Sequence, residues 1–104
     1  MRQAGRYMEE YRKVRAQHDF LELCKRPDLA AEITVRPVER LGVDAAILFA
    51  DILLLLEPMG VGLEYTKGDG PVIHNQVSSR TDVEQLVEFE PQEALPFVFE
   101  AVRK

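Results

Sequence analysis

The feature that most constrains the fold is an apolar run near the middle of the chain, Val43-Asp44-Ala45-Ala46-Ile47-Leu48-Phe49, led in by a turn-like Leu41-Gly42. Its length and β-branched content are those of a strand buried on both faces. Such a strand needs neighbours at its edges and packed layers above and below. Asp51 follows two residues after the run. In barrels of parallel strands, polar residues just beyond a strand's C-terminal end line the ligand site. Asp51 is therefore a candidate functional carboxylate. A plainer role competes with this one, because an aspartate here also caps a short helix following the strand.

A second feature opens the chain, Met1-Arg2-Gln3-Ala4-Gly5-Arg6-Tyr7. Two arginines four apart bracket an Ala-Gly step. Glycine lets a backbone come close to a ligand because it has no Cβ. Two guanidiniums beside it form a forked, permanently charged site suited to carboxylates. Alone, an Arg-x-x-x-Arg pair reads as two solvated charges on a helix face.

Read together, these blocks resemble the uroporphyrinogen decarboxylase family. The resemblance is carried by Met1-Arg2-Gln3-Ala4-Gly5-Arg6-Tyr7, then Glu10-Tyr11-Arg12, then Asp44-Ala45-Ala46-Ile47-Leu48-Phe49-Ala50-Asp51-Ile52-Leu53, in matching order and spacing. Met59-Gly60 and the turn Gly68-Asp69-Gly70-Pro71 extend it, so that it covers the chain end to end. One departure is Ala50, where the resemblance leads one to expect serine before the aspartate. It implies an α/β fold, the N-terminal portion of a (β/α)8 TIM barrel. Such a barrel needs about 250 residues, and this chain has 104. Residues 1–104 are therefore expected to be a partial barrel domain, truncated at both ends, whose own burial of the central strand is doubtful without its neighbours.

The resemblance also implies an activity. The family removes carboxyl groups from the four acetate side chains of uroporphyrinogen III, giving coproporphyrinogen III, with no metal and no organic cofactor. Losing CO2 from an acetate on a pyrrole requires an electron sink, which protonation of the ring provides. The resulting cation and the pyrrole N–H donors call for a fixed carboxylate, and Asp51 is the matching residue. A carboxylate held in a water-poor cleft stabilises developing positive charge better than solvent does. Flanking Phe49, Ile52 and Leu53 are expected to desolvate it, and accepted N–H bonds to oppose the resulting rise in pKa. Arg2 and Arg6 match substrate-contacting arginines, with the backbone of Gln3, Ala4 and Gly5 between them. Arg2 is expected to serve catalysis as an electrostatic clamp, since a guanidinium is a poor general acid. Arg15 fits a position near the substrate, whereas Arg12 and Lys13 read as a solvated helix face. A tyrosine, a hydroxyl residue and a histidine of the family's site fall beyond Lys104. Tyr7, Tyr11, Tyr65, His18 and His74 do not match them. The full-length protein is expected to be a cytoplasmic homodimer.

Composition narrows the alternatives. With 13 basic and 18 acidic residues the net charge is −5. Residues 1–40 carry nine Lys/Arg against seven Asp/Glu, and residues 41–104 four against eleven. The basic stretch is short and lacks a stacking pattern of aromatics, which argues against nucleic acid. Cys24 is the only cysteine, so no internal disulfide can form. His18, Cys24 and His74 lack zinc-ligand spacing, and Cys24 reads as a small apolar residue beneath a helix. The apolar stretch from Ala45 to Leu56 is interrupted by Asp51 and too short for a membrane span. Two other function classes stay open. One is a non-catalytic truncated product that folds poorly or only binds porphyrinogen. The other is a related barrel that transfers methyl groups from corrinoids to thiols, which lacks the Arg-Gln-Ala-Gly-Arg run and uses zinc ligands later in its chain.

Residues 1–7 read as a loop. Met8–Gln17 reads as a polar helix, Asp19–Lys25 as a short one, and a third starts at Pro27 and runs to about Leu41, with Pro37 inside it. Leu29, Ile33 and Leu41 are expected on its inner side. Asp51–Met59 reads as a loop or short helix. Leu63–Thr66 alternates like an edge strand and turns through Lys67–Pro71 into Val72-Ile73. Thr81-Asp82-Val83-Glu84 reads as a capping box for a helix through Val87, and a last helix starts near Pro91 or Pro96. Gly60-Val61-Gly62 and Gly68-Asp69-Gly70 are turn glycines without a phosphate-binding pattern.

Overall fold

Three helices follow one another closely at the start of the computed structural model, which describes residues 7–104. They are α1 (Glu9–Gln17), α2 (Phe20–Lys25) and α3 (Pro27–Leu41). A 3-10 turn (Ile52–Leu55), a hairpin of β1 (Leu63–Thr66) and β2 (Gly70–Ile73), and three short helices complete the order: α4 (Arg80–Glu84), α5 (Pro91–Ala94) and α6 (Pro96–Arg103). These elements group into two compact units. One takes in the chain up to Ala50 with Phe97–Lys104, and the other is Asp51–Pro96.

In the first unit the helix ends follow the local chemistry. Glu9 and Glu10 lie in the first turn of α1 and Arg15 in its last, complementing the helix dipole. The Lys13 ammonium sits 2.8 Å from Glu9. That pairing holds the Glu9 carboxyl below its ordinary range. Asp19 caps α2, its Oδ1 accepting from the Glu22 N–H at 2.7 Å. Leu23 and Cys24 of α2 are buried, and Cys24 is the small apolar residue its sequence context suggested. Pro27 occupies the first turn of α3, where its missing N–H costs no helical bond. Gly42 ends α3 in the left-handed region at φ 65°. A Cβ there would meet nothing within 4 Å, so backbone conformation and not space selects glycine.

In the second unit the hairpin is antiparallel, with Leu63 opposite Ile73 and Thr66 opposite Gly70. Gly68 (φ 99°) and Gly70 (φ 77°) turn the chain. Pro71 faces Tyr65 and needs no ladder donor in a two-stranded sheet. The open end is closed by Asn75. Its Oδ1 accepts from the Gly62 N–H at 2.6 Å and its Nδ2 donates to the Gly60 carbonyl at 3.0 Å.

The structure corrects several expectations. Val43–Phe49 is not a strand. It runs as irregular backbone with bends at Asp44 and Phe49, and Val43 and Ile47 are 45% and 66% exposed. A strand exists through its ladder, and a parallel neighbour requires a long crossover connection. Among the described residues the hairpin is the only sheet. Leu41 is half-exposed at 50%, at the last position of the helix α3. The capping residue of α4 is Ser79, two positions before the expected Thr81, and the helix stops at Glu84. Tyr7 is helical where a loop was expected; the rest of that opening segment, residues 1–6, lies outside the described residues. The fold is mixed α and β.

Candidate functional site

Asp51 stands at the N-terminus of the 3-10 turn with extended backbone (φ −136°, ψ 140°). Its Oδ1 accepts the Leu53 N–H at 2.8 Å. The turn forms because an apolar Ile-Leu-Leu-Leu run directly follows a residue whose short carboxylate can satisfy a free amide at a helix start. Leu54 is its buried anchor. The carboxylate is therefore fixed in direction by its own backbone, and the capping role is realised. Capping and substrate contact are compatible, because an ionised carboxylate has acceptor sites on two oxygens.

The expected apolar shield around Asp51 is thinner than the sequence suggested. Ile52 is 85% exposed, since the turn sends Leu54 and not Ile52 inward. Phe49 and Leu53 are half-buried.

The segment before Asp51 is tied down at Phe49. The Phe49 N–H donates to Thr34 Oγ1 at 2.8 Å, and that hydroxyl donates onward to the Ala30 carbonyl at 2.7 Å. The Phe49 ring meets Tyr11 at 5.9 Å and Phe20 at 5.8 Å between centroids, tilted and edge-on respectively. Such arrangements suit the aromatic quadrupole. One residue from each of α1, α2 and α3 thus converges on Phe49. Nothing in the spacing of the sequence pairs Thr34 with Phe49, and Thr34 was not singled out there.

Arg2, Gln3, Ala4, Gly5 and Arg6 lie outside the described residues. Of the remaining basic candidates, Arg12 and Lys13 are exposed on α1. Arg15 is half-buried, and its guanidinium donates to the His18 carbonyl at 2.9 Å, closing the C-terminus of α1. His18 Nδ1 pairs with Glu22 at 2.8 Å. His74 is exposed beside the hairpin, 3.0 Å from Glu64.

A small, open cleft lies between α1 and α3, lined by Met8, Tyr11, Val14, Ile33 and the charged Glu10 and Arg36 among others. Asp51 does not line it. Its charges are matched locally: Arg36 lies 3.5 Å from Glu32, and Arg40 pairs with Glu10. The Glu10 carboxyl is held below its ordinary range, first by its own backbone N–H and then by Arg40. This cleft presents no surplus positive charge to a polycarboxylate. Among the described residues no three His, Cys, Asp or Glu side chains converge as a metal site. No helix among them is long and apolar enough to cross a membrane.

Comparison with known proteins bears on the motifs directly. The family described as Uroporphyrinogen decarboxylase (URO-D) matches residues 1–104. A uroporphyrinogen decarboxylase of Sorangium cellulosum is 60% identical over 103 residues, which is 99% of this chain and 29% of that protein. The enzyme of that name from Solibacter usitatus is 56% identical over 99% of this chain and 30% of its own length. That of Carboxydothermus hydrogenoformans is 54% identical over 99% and 29%. The chain spans about three tenths of the length of these relatives. The family match covers residues 1–104, a span that holds both the arginine motif and the Asp51 block, and on that coverage the chain belongs to the uroporphyrinogen decarboxylase family.

Proposed function

We propose that this chain forms part of a uroporphyrinogen decarboxylase, a carboxy-lyase that converts the four acetate side chains of uroporphyrinogen III to methyls and yields coproporphyrinogen III. The observation that carries the reading is the family match across residues 1–104, which includes Arg2, Arg6 and Asp51. The direction imposed on the Asp51 carboxylate by its bond to Leu53 supports it.

In this reading the Asp51 carboxylate accepts pyrrole N–H bonds and stabilises the cation formed when the ring is protonated at the carbon next to the one that bears the acetate. The electron pair of the breaking C–C bond flows into that cation and forms an exocyclic C=C bond, CO2 departs, and protonation of the exocyclic carbon with loss of the proton added to the ring completes the methyl group and restores the pyrrole. Arg2 and Arg6, with the Gln3-Ala4-Gly5 backbone between them, clamp substrate carboxylates. The fold that frames this chemistry is a (β/α)8 barrel in which Val43–Phe49 gains its parallel neighbours, and the assembled protein is a cytoplasmic homodimer.

The test is Asp51→Asn in the protein at the length of its relatives. Asn keeps the size and one acceptor oxygen but loses the charge. As a cap it is nearly equivalent to Asp. A large loss of kcat with unchanged thermal stability supports an electrostatic role. Near-normal turnover removes Asp51 from the mechanism and leaves it as a cap.

A further inference from the structure

The hairpin turn Gly68-Asp69-Gly70 takes no part in the proposed reaction, and it carries a chemistry of its own. We propose that Asp69-Gly70 is a site of spontaneous backbone modification, at which Asp69 converts to an isoaspartyl residue through a cyclic imide in the folded protein. The pair stands out first in the sequence. The other aspartates, Asp19, Asp28, Asp44, Asp51 and Asp82, precede Phe, Leu, Ala, Ile and Val, and Asn75 precedes Gln. Only Asp69 precedes glycine. Ring closure brings the amide nitrogen of the next residue onto the side-chain carboxyl carbon. A Cβ on that next residue obstructs the approach, and glycine has none.

The surroundings of the aspartates separate them further. Asp19, Asp51 and Asp82 each hold a carboxylate oxygen on a backbone N–H at the start of a helix or 3-10 turn. Asp28 sits 2.8 Å from Arg26. Asp69 instead lies exposed in the turn between β1 and β2. The glycines on either side have positive φ, 99° at Gly68 and 77° at Gly70, and a Cβ at either would meet nothing within 4 Å. Space and water are therefore available to the ring as it closes and opens. Gly70 stands opposite Thr66 in the last pair of the hairpin. Fraying of that one pair frees the Gly70 amide, and the ends of elements open at little cost.

The chemistry needs water alone. The Gly70 nitrogen bonds to Asp69 Cγ, and its proton leaves with the carboxyl hydroxyl as water, closing a succinimide. Water then adds to one of the two ring carbonyls. Cleavage of the new Cγ–N bond restores aspartate. Cleavage of the original bond between the Asp69 carbonyl carbon and the Gly70 nitrogen leaves the chain running through Cβ and Cγ, with the former main-chain carbonyl as a free carboxylate. One water leaves and one returns, so the change is an isomerisation. The product lengthens the turn by one methylene. Turn type and loop length fix the register of a hairpin, so the pairing from Thr66–Gly70 to Leu63–Ile73 is what the modification puts at risk.

The experiment incubates the protein at the length of its relatives, folded and separately in urea, with Asp69→Glu alongside. Isoaspartate is read by methyl transfer from S-adenosylmethionine with an isoaspartate-specific carboxyl methyltransferase, and its position by peptide fragmentation. In the folded parent it is expected to accumulate at residue 69 ahead of every other position, accompanied by a species lighter by one water. Asp69→Glu, which would have to close a larger ring, is expected to lose the signal at that position. Hydrogen exchange in peptides covering residues 63–73 is expected to quicken in the aged parent and to keep its starting rate in aged Asp69→Glu. Isoaspartate that forms at residue 69 only in urea means that the folded turn prevents ring closure and overturns the proposal. Accumulation led by another position, such as the exposed Asp44 before Ala45, overturns it too. Should Asp69→Glu fail to fold, the comparison of folded parent with parent in urea decides by itself.

Discussion

Asp51 and the arginines can be separated by the kind of charge each contributes. If Asp51 acts by electrostatics, Asp51→Asn should lose more kcat than Asp51→Glu, which keeps the charge one methylene farther out. If geometry dominates, both should fail alike; both are expected to be impaired, with Asn worse in single-turnover measurements of the chemical step. Arg2→Lys keeps the charge but loses the planar fork, and should cost ~2–4 kcal/mol in kcat/KM, the scale of one preorganised donor. Arg12→Ala is the control: Arg12 is exposed on α1 and should change kinetics little. Equal effects at Arg2 and Arg12 would show that the motif works through bulk charge alone. These candidates were legible in the sequence because a charged motif survives as a string of letters. Thr34 was not legible, since its importance lies in a hydrogen bond to a residue 15 positions away. The exposure of Ile52 was also hidden, because the direction of a 3-10 turn and not composition decides which leucine or isoleucine turns inward.

Helix boundaries were readable where a single residue type dictates them, as with Pro27 starting α3, Gly42 ending it and Asp19 capping α2. The cap of α4 was misplaced because Ser79-x-x-Asp82 and Thr81-x-x-Glu84 both have capping spacing. The structure selects Ser79, because the Asp82 carboxylate gathers the Ser78 N–H at 3.0 Å and the Ser79 N–H at 2.9 Å. These donors, the Ser78 amide foremost and then the Ser79 side chain, hold the Asp82 carboxyl below its ordinary value of 3.8. A carboxyl whose folded pKa is depressed stabilises the fold fully above the unfolded value, and that stabilisation is lost as pH falls through the lower folded one. Urea midpoints of the parent and Asp82→Ala should therefore differ most above pH ~4 and converge below it. A difference independent of pH would mean that the capping geometry acts without the charge. At the hairpin, Gly62→Ala should destabilise by ~1–3 kcal/mol. A Cβ there meets Asn75 Oδ1 at 3.1 Å and His74 Cβ at 3.3 Å, although the φ of Gly62 is not positive. Combining it with Asn75→Ala should cost less than the sum of the two single changes, because the nearer obstacle is then gone.

At the scale of the molecule, the central apolar run is where sequence and structure part company, and the reason is a missing partner. Length and β-branched content write into the apolar run Val43–Phe49 the requirement for a two-sided environment. A ladder, however, is a property of two segments, and the described residues supply no second strand beside it. What they supply instead is the single anchor at Phe49, with Val43 and Ile47 left substantially exposed. Backbone with no strand beside it among the described residues, next to exposed aliphatic side chains, is the recipe for edge-to-edge association. The 104 residues expressed alone are therefore expected to self-associate, to unfold without a sharp transition, and to release no detectable coproporphyrinogen from uroporphyrinogen. Size-exclusion chromatography, a thermal melt and product fluorescence after oxidation check these three outcomes separately. Adding the rest of a relative's chain in trans gives a further comparison. If the exposed run is an unsatisfied strand, the two pieces should co-purify, and exchange across residues 43–49 should slow by at least ~10-fold as its amides enter a ladder. A monomer that melts cooperatively and turns over substrate without any partner would mean that this run needs no sheet and that the site is complete within these residues.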